Sequence, residues 1–336
     1  MYRLGIAILG AVVVLSGCAG SENLYARPLG DFEQAVQRTA HATRIYATLA
    51  RQEQADAAIS ALVVNPDAFV SFDVTACAKG KGAAACKVVN GDGKPVVGDT
   101  KTASLSVQMM ARIETYAALL ADIAGAVSEA ELQARQKTAD GALDKLQSVA
   151  KALKAGQSNR GLKDFKSAAE DALAGAYLQS QRRKLLIALV KDADPVITAA
   201  SKMLASTLGD VRESYLETQS FRINLQVLNF NNLGPLLKAG SGTSAQASGP
   251  ASTMASAQVL RREALSRLVR ESGQLQGVAA LDIGVSFDDM AKAHAVLLQA
   301  LEFSATDMGM LVEAIENFAA TSKKAANALG TLQGMM

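Results

Sequence analysis

Residues 104–127 read SLSVQMMARIETYAALLADIAGAV, and their spacing decides the fold class. Leu105, Met109, Ile113, Tyr116, Leu120, Ile123 and Val127 recur three or four positions apart, the period that lines one side of an α-helix. The pattern continues through Leu132, Leu143, Leu146, Val149 and Leu153. It therefore predicts a helix of up to about fifty residues, ended by KAGQSNRG at 154–161.

The same period extends to both sides. Toward the N-terminus, Asp31 reads as an N-cap, and Phe32, Ala35, Val36, Thr39, Ala42, Tyr46 and Leu49 predict a helix running to Val63. That helix stops before Asn65-Pro66, because proline disfavours helix in the residue before it. Toward the C-terminus, Phe165, Ala169, Leu173 and Tyr177 predict a helix to Val190. Asp194-Pro195 reads as the cap and first residue of the next, which reaches Asn231. Residues 239–256 (AGSGTSAQASGPASTMAS) form a Gly/Ser/Ala linker. Two last helices fall at 257–280 and 286–332, divided by LDIGVS, with Ser286 and Asp289 as a capping box. The expected fold is mainly α: an elongated bundle of about six long helices with coiled-coil-like crossings. There is no fixed-period repeat of the kind that marks a solenoid.

Composition agrees. The chain has 336 residues, 49% of them hydrophobic but only 4% aromatic, with no Trp. Such apolar content, built from Ala, Leu and Val, suits packed helices better than a sandwich or barrel. Lys and Arg number 34 against 32 Asp and Glu, a net charge of +2. That balance excludes the strong basic excess of a dedicated nucleic-acid binder. Mean hydropathy is +0.14, much of it from alanine. After the N-terminus no apolar run reaches the ~18 residues that a transmembrane helix needs.

Residues 1–17 have the anatomy of an export signal: Arg3 in a short leading region, then an apolar run from Leu4 to Leu15. The run ends Leu15-Ser16-Gly17-Cys18, which resembles the lipobox of bacterial lipoproteins. The resemblance implies cleavage between Gly17 and Cys18, diacylglycerol on the Cys18 thiol and acylation (palmitate, for example) of the new amino group. Ala19 in the next position, rather than aspartate, implies the outer membrane, with the body facing the periplasm. Two or three acyl chains hold a protein durably where one does not. Residues 18–30 become a lipidated tether, and 31–336 the helical domain.

Residues 67–99 change character. DAFVSFDVTAC carries alternating and β-branched residues, and CKVVNGDGKPVVG places Asn-Gly and Asp-Gly between valine pairs. These are the signals of a small β-hairpin inserted after the first helix. With Cys18 lipidated, Cys77 and Cys86 remain as an even pair in an oxidising space, expected to form a disulfide that pins the hairpin. Closing so short a loop stabilises by about 2–3 kcal/mol. Free thiols or a metal are the alternatives, but no His or third Cys nearby completes a zinc set.

No residue set converges on chemistry. His41 and His294 are the only histidines, and neither has a partner at metal-binding spacing in HATRIY or KAHAV. Gly240 and Gly242 neither follow a strand nor open a helix, and no G-x-S-x-G elbow is present. Asp288-Asp289 and Glu313 with Glu316 read as solubilising charge. QRRKLL (181–186) and LRREALSRLVR (260–270) read as solvated helix surface with pairs such as Glu263–Arg267, or as contacts for anionic headgroups or cell-wall polymer. Met290, Met308, Met310, Met335 and Met336 read as core filling. Catalytic and metal-ligating residues are therefore expected to be absent, with covalent lipid in place of a cofactor.

The functional expectation is a non-enzymatic structural or protein-interaction lipoprotein of the envelope. It would contact the membrane through its anchor, bind an envelope protein partner and leave nucleic acid alone. Two alternatives stand beside it. One is a membrane-active bundle similar in architecture to α-helical pore-forming proteins, with 67–99 as a tongue. The other is a ligand-binding or enzymatic bundle with an internal pocket.

Overall fold

A computed structural model of the chain describes residues 24–63, 70–71, 89–90, 92, 101–152, 178–240, 251–303 and 308–333. They are mainly helical. The helices are α1 (Ala26–Val63), α2 (Lys101–Gly125), α3 (Glu129–Ala152), α4 (Leu178–Gly240), α5 (Ala251–Ala279), α6 (Ile283–Phe303) and α7 (Met308–Gln333). Between α1 and α2, the short strands β1 (Val70–Ser71) and β2 (Val89–Asn90) pair antiparallel, Val70 opposite Asn90 and Ser71 opposite Val89.

Among the described residues the helices divide differently from the expectation, for local reasons. The long helix predicted from residue 104 breaks at Ala126–Ser128. The Ser128 Oγ accepts from the Glu131 N–H at 3.2 Å, and the Glu131 carboxylate accepts from the Val127 N–H at 2.9 Å. This reciprocal cap satisfies donors that a helix start leaves open, so a new helix begins there. Val127, predicted on the apolar stripe, falls in the break and is 74% exposed. The helix predicted over 286–332 is likewise two, α6 and α7; residues 304–307 between them lie outside the described set.

The opposite correction applies at Asp194-Pro195. The predicted boundary is absent, and α4 runs straight through it. Proline deletes the bond from its own N–H to the carbonyl four residues back, yet apolar packing on both sides outweighs that loss. Leu185, Leu186, Leu189 and Val190 before it, and Ile197, Ala200 and Leu204 after it, are all buried. At about 1.5–3 kcal/mol for each large aliphatic side chain buried, the packing exceeds a single missing hydrogen bond.

Helix starts also shift. The first helix begins at Ala26, not Asp31, so Pro28 occupies its first turn, where proline is tolerated. Asp31 is an exposed mid-helix residue, and Leu29, expected in the tether, is fully buried. Ser286 does not cap α6; it lies inside the helix, buried, while the Asp282 Oδ1 accepts from the Gly284 N–H at 3.0 Å. Both α4 and α5 extend into the predicted 239–256 linker, of which 241–250 lie outside the described residues.

The chain divides into two compact units. The first comprises Met1–Ala40, Gln108–Met203 and Val285–Lys323; the second comprises His41–Val107, Leu204–Gly284 and Lys324–Met336. In the first, Phe32 of α1, Ile113 and Tyr116 of α2, Leu143 of α3, Leu189 of α4, Phe287 and Leu297 of α6 and Phe318 of α7 are buried. In the second, Ile45, Tyr46, Leu204, Leu208, Tyr215, Val278, Ile283 and Leu329 are buried. Farther along the α4–α5 pair, burial ends. Of the side chains described over 216–232 and 258–277, none is fully buried.

Candidate functional site

The first unit encloses a chain of three polar side chains. His294 sits on the inward stripe of α6, where Phe287, Met290, Leu297 and Leu301 are all buried around it. Its Nε2 lies 2.8 Å from the Tyr116 hydroxyl of α2, and its Nδ1 lies 2.9 Å from the Asp194 Oδ1 of α4. Phe32 of α1 stands against the imidazole with ring centroids 6.4 Å apart, and Phe318 of α7 stands against Phe32 at 5.7 Å. Tyr116 and His294 are wholly buried; only Asp194 reaches water, its side chain 30% exposed.

Hydrogen-bond capacity assigns the protons. A carboxylate only accepts, so Nδ1 carries a proton toward Asp194, and in the neutral imidazole Nε2 then accepts from the Tyr116 O–H. Burial, followed by the Asp194 and Asp192 carboxylates, holds the Tyr116 phenol well above its ordinary pKa.

The order acid–imidazole–hydroxyl is that of a nucleophilic triad, but the energetics run the other way. An activated oxygen needs an adjacent base or a lowered pKa, and in either case an open approach for substrate. Here the hydroxyl is driven toward its neutral form and sealed beneath apolar side chains. The trio joins α2, α4 and α6 by satisfying each member's polar groups inside the core.

Arginines on α4 perform a second structural task. Arg182 Nη2 donates to the Ala126 carbonyl, just past the end of α2. Arg183 donates from Nε to the Leu301 carbonyl at 2.8 Å and from Nη2 to that of Glu302 at 3.3 Å, on the last turn of α6. In the second unit, Arg212 donates to Val278 and Ala279 at 3.2 and 2.5 Å, where α5 ends. A helix C-terminus carries unsatisfied carbonyls and a partial negative charge, so a guanidinium fits it on both counts. The QRRKLL cluster is thus not a solvated surface: Arg182 is buried, and Arg183 is spent on a cap.

The remaining predicted positions are simpler. Glu263 and Arg267 lie 3.9 Å apart as an exposed pair four residues apart on α5. His41, Asp288, Glu313 and Glu316 are exposed, while Met290 is buried. Gly17, Cys18, Cys77 and Cys86 lie outside the described residues. Among the described residues, no helix is long and apolar enough to cross a membrane, and no cluster of three or more His, Cys, Asp or Glu is placed to hold a metal ion.

Sequence reasoning passed over the His294 trio because its members lie on three helices. One signal was present: His294 falls between Met290 and Leu297, four and three residues away, on the stripe that also holds Phe287 and Leu301. A histidine on an inward stripe requires a buried partner. No family model, curated protein or solved structure matches the chain.

Proposed function

We propose that this chain is a lipid-anchored, non-enzymatic interaction module of the bacterial envelope, held at the periplasmic face of the outer membrane through Cys18 and recruiting an envelope protein partner. One observation carries the non-enzymatic part. In the arrangement among the described residues that most resembles catalytic machinery, Asp194–His294–Tyr116, the imidazole and the hydroxyl are wholly buried and hydrogen-bonded across three helices. The anchor rests on the Leu15–Cys18 lipobox and Ala19. On this reading the body is an elongated helical bundle, which the long helices α1 and α4 favour. Its insert is a hairpin pinned by a Cys77–Cys86 disulfide, favoured by the antiparallel pairing of β1 with β2.

The decisive test is mass spectrometry of the mature N-terminus with fractionation of wild-type and Cys18→Ser cells. Acyl mass on Cys18, and release of the serine variant from the outer-membrane fraction, are expected; an unmodified cysteine refutes the anchor. Crosslinking in cells, followed by purification, tests the interaction role. A single envelope protein recovered reproducibly supports it, and recovery of lipoprotein-processing enzymes alone counts against it.

A further inference from the structure

Exposed apolar side chains of the first unit gather at one end. Among its described residues six large ones are exposed, and all but Val285 lie toward the end where α1 begins. Three contacts define that end. The Tyr25 hydroxyl donates to the Ala300 carbonyl at 3.3 Å, joining the start of α1 to the last turn of α6. Arg183 donates to the Leu301 carbonyl at 2.8 Å, and its neighbour Arg182 to that of Ala126, which brings the end of α2 to the same level. The side chains just beyond these contacts are Leu24, Phe303 and Val127, which are 44%, 69% and 74% exposed. Five residues after Phe303, α7 begins, and it carries Met310, half exposed, in its first turn.

The length of the tether identifies the occupant. Leu24 follows Cys18 by six residues, and at full extension six residues span at most about 22 Å. An acyl group on Cys18 therefore holds this end of the unit within that distance of the bilayer. Val285, near the opposite end of α6, lies about 27 Å farther along the helix. Being held so close acts as a high local concentration, so a few apolar side chains are enough to enter the acyl boundary, where they leave water.

We infer that this end of the first unit seats in the interfacial layer of the bilayer that holds the anchor, through Leu24, Val127, Phe303 and Met310. The inference rests on the anchored reading above and assigns the part of the body that meets lipid. The attraction is apolar, so the seat forms on lipid of no net charge.

The chain contains no Trp, so a single introduced Trp reports its own surroundings. The test uses the whole mature chain, residues 18–336, with a polyhistidine segment in place of Cys18. It is tethered to phosphatidylcholine vesicles through nickel-chelating lipid, with and without brominated acyl chains. Phe303→Trp and Val127→Trp are each expected to shift their emission to the blue on tethering and to be quenched by the brominated chains. Val285→Trp is expected to show neither change. All three positions are exposed, and unchanged circular dichroism confirms folding. Adding Leu24→Gln and Met310→Gln to Phe303→Trp lowers the ratio of seated to free protein about tenfold for each side chain, and the emission returns toward that of Val285→Trp. Absence of quenching at 303, or equal quenching at 303 and 285, overturns the inference. A blue shift that appears without vesicles and grows with protein concentration also overturns it, giving this end to a second copy. Because polyhistidine stands in for the acyl group, these outcomes do not depend on lipid at Cys18. An acylated Cys18 with position 303 in water would remove this inference and leave the anchor standing.

Discussion

His294 and Tyr116 meet at 2.8 Å across 178 positions of sequence, inside a core from which both are fully shielded. Removing either partner strands the other. Tyr116→Phe leaves Nε2 without its donor and is expected to cost about 1–3 kcal/mol at neutral pH. Paired with His294→Leu in a double-mutant cycle, it should give a coupling of about 0.5–3 kcal/mol by urea denaturation. Additive losses would show that the bond contributes nothing of its own.

Tyr46 presents the opposite case. Its hydroxyl is buried and has no hydrogen-bond partner. Replacing it with Phe should be neutral or stabilising by up to about 1 kcal/mol, since a desolvated, unpaired group is removed while the ring remains. A clear fall in melting temperature on Tyr46→Phe would contradict the burial described for that side chain.

The same residue sets an alkaline limit. Burial, opposed by Arg212 and reinforced by Asp282, pushes the Tyr46 phenol up to about 12. Unfolded chains release this proton near pH 10, so between pH 10 and 12 the unfolded state binds fewer protons and stability falls as pH rises. Below pH 10 the contribution is complete; across the window about 3 kcal/mol is lost. Tyr46→Phe should flatten the stability-against-pH curve there, measured by denaturation at fixed pH steps.

Arg212 should prove irreplaceable by lysine. Its two bonds come from different nitrogens of one planar fork, a geometry a single ammonium cannot reproduce. Arg212→Met is expected to cost about 1–3 kcal/mol, with Arg212→Lys recovering less than half. Amide exchange at Val278 to Leu281 should quicken in both variants.

The break before α3 should depend on its cap. Ser128→Ala is expected to cost about 1 kcal/mol, read as a lower melting temperature with faster exchange at Glu131.

What the sequence made legible follows from range. Periodicity is a local property, so the helical class and most inward stripes, such as Met109, Ile113, Tyr116 and Leu120, were open to reading. Ends depend on which local signal wins. The Ser128–Glu131 cap was in plain view yet was overridden by the apolar period running through it. At Asp194-Pro195 the error reversed, and a true stop signal was overruled by packing. The trio and the arginine caps were hidden more deeply, because Tyr116 and His294, or Arg183 and Leu301, become neighbours only once the helices are in place. No spacing rule within one segment reports such pairs.

Two of these features act together on α4. Arg183 grips the end of α6 while Asp194, eleven residues on, holds His294 in its middle. A helix turns about 100° and climbs about 1.5 Å with each residue. One residue inserted between 183 and 194 would therefore swing one hand of this vice off its target. A single-residue insertion in that interval is therefore expected to cost one of the two contacts with α6, while the same insertion beyond Asp194 leaves both in register.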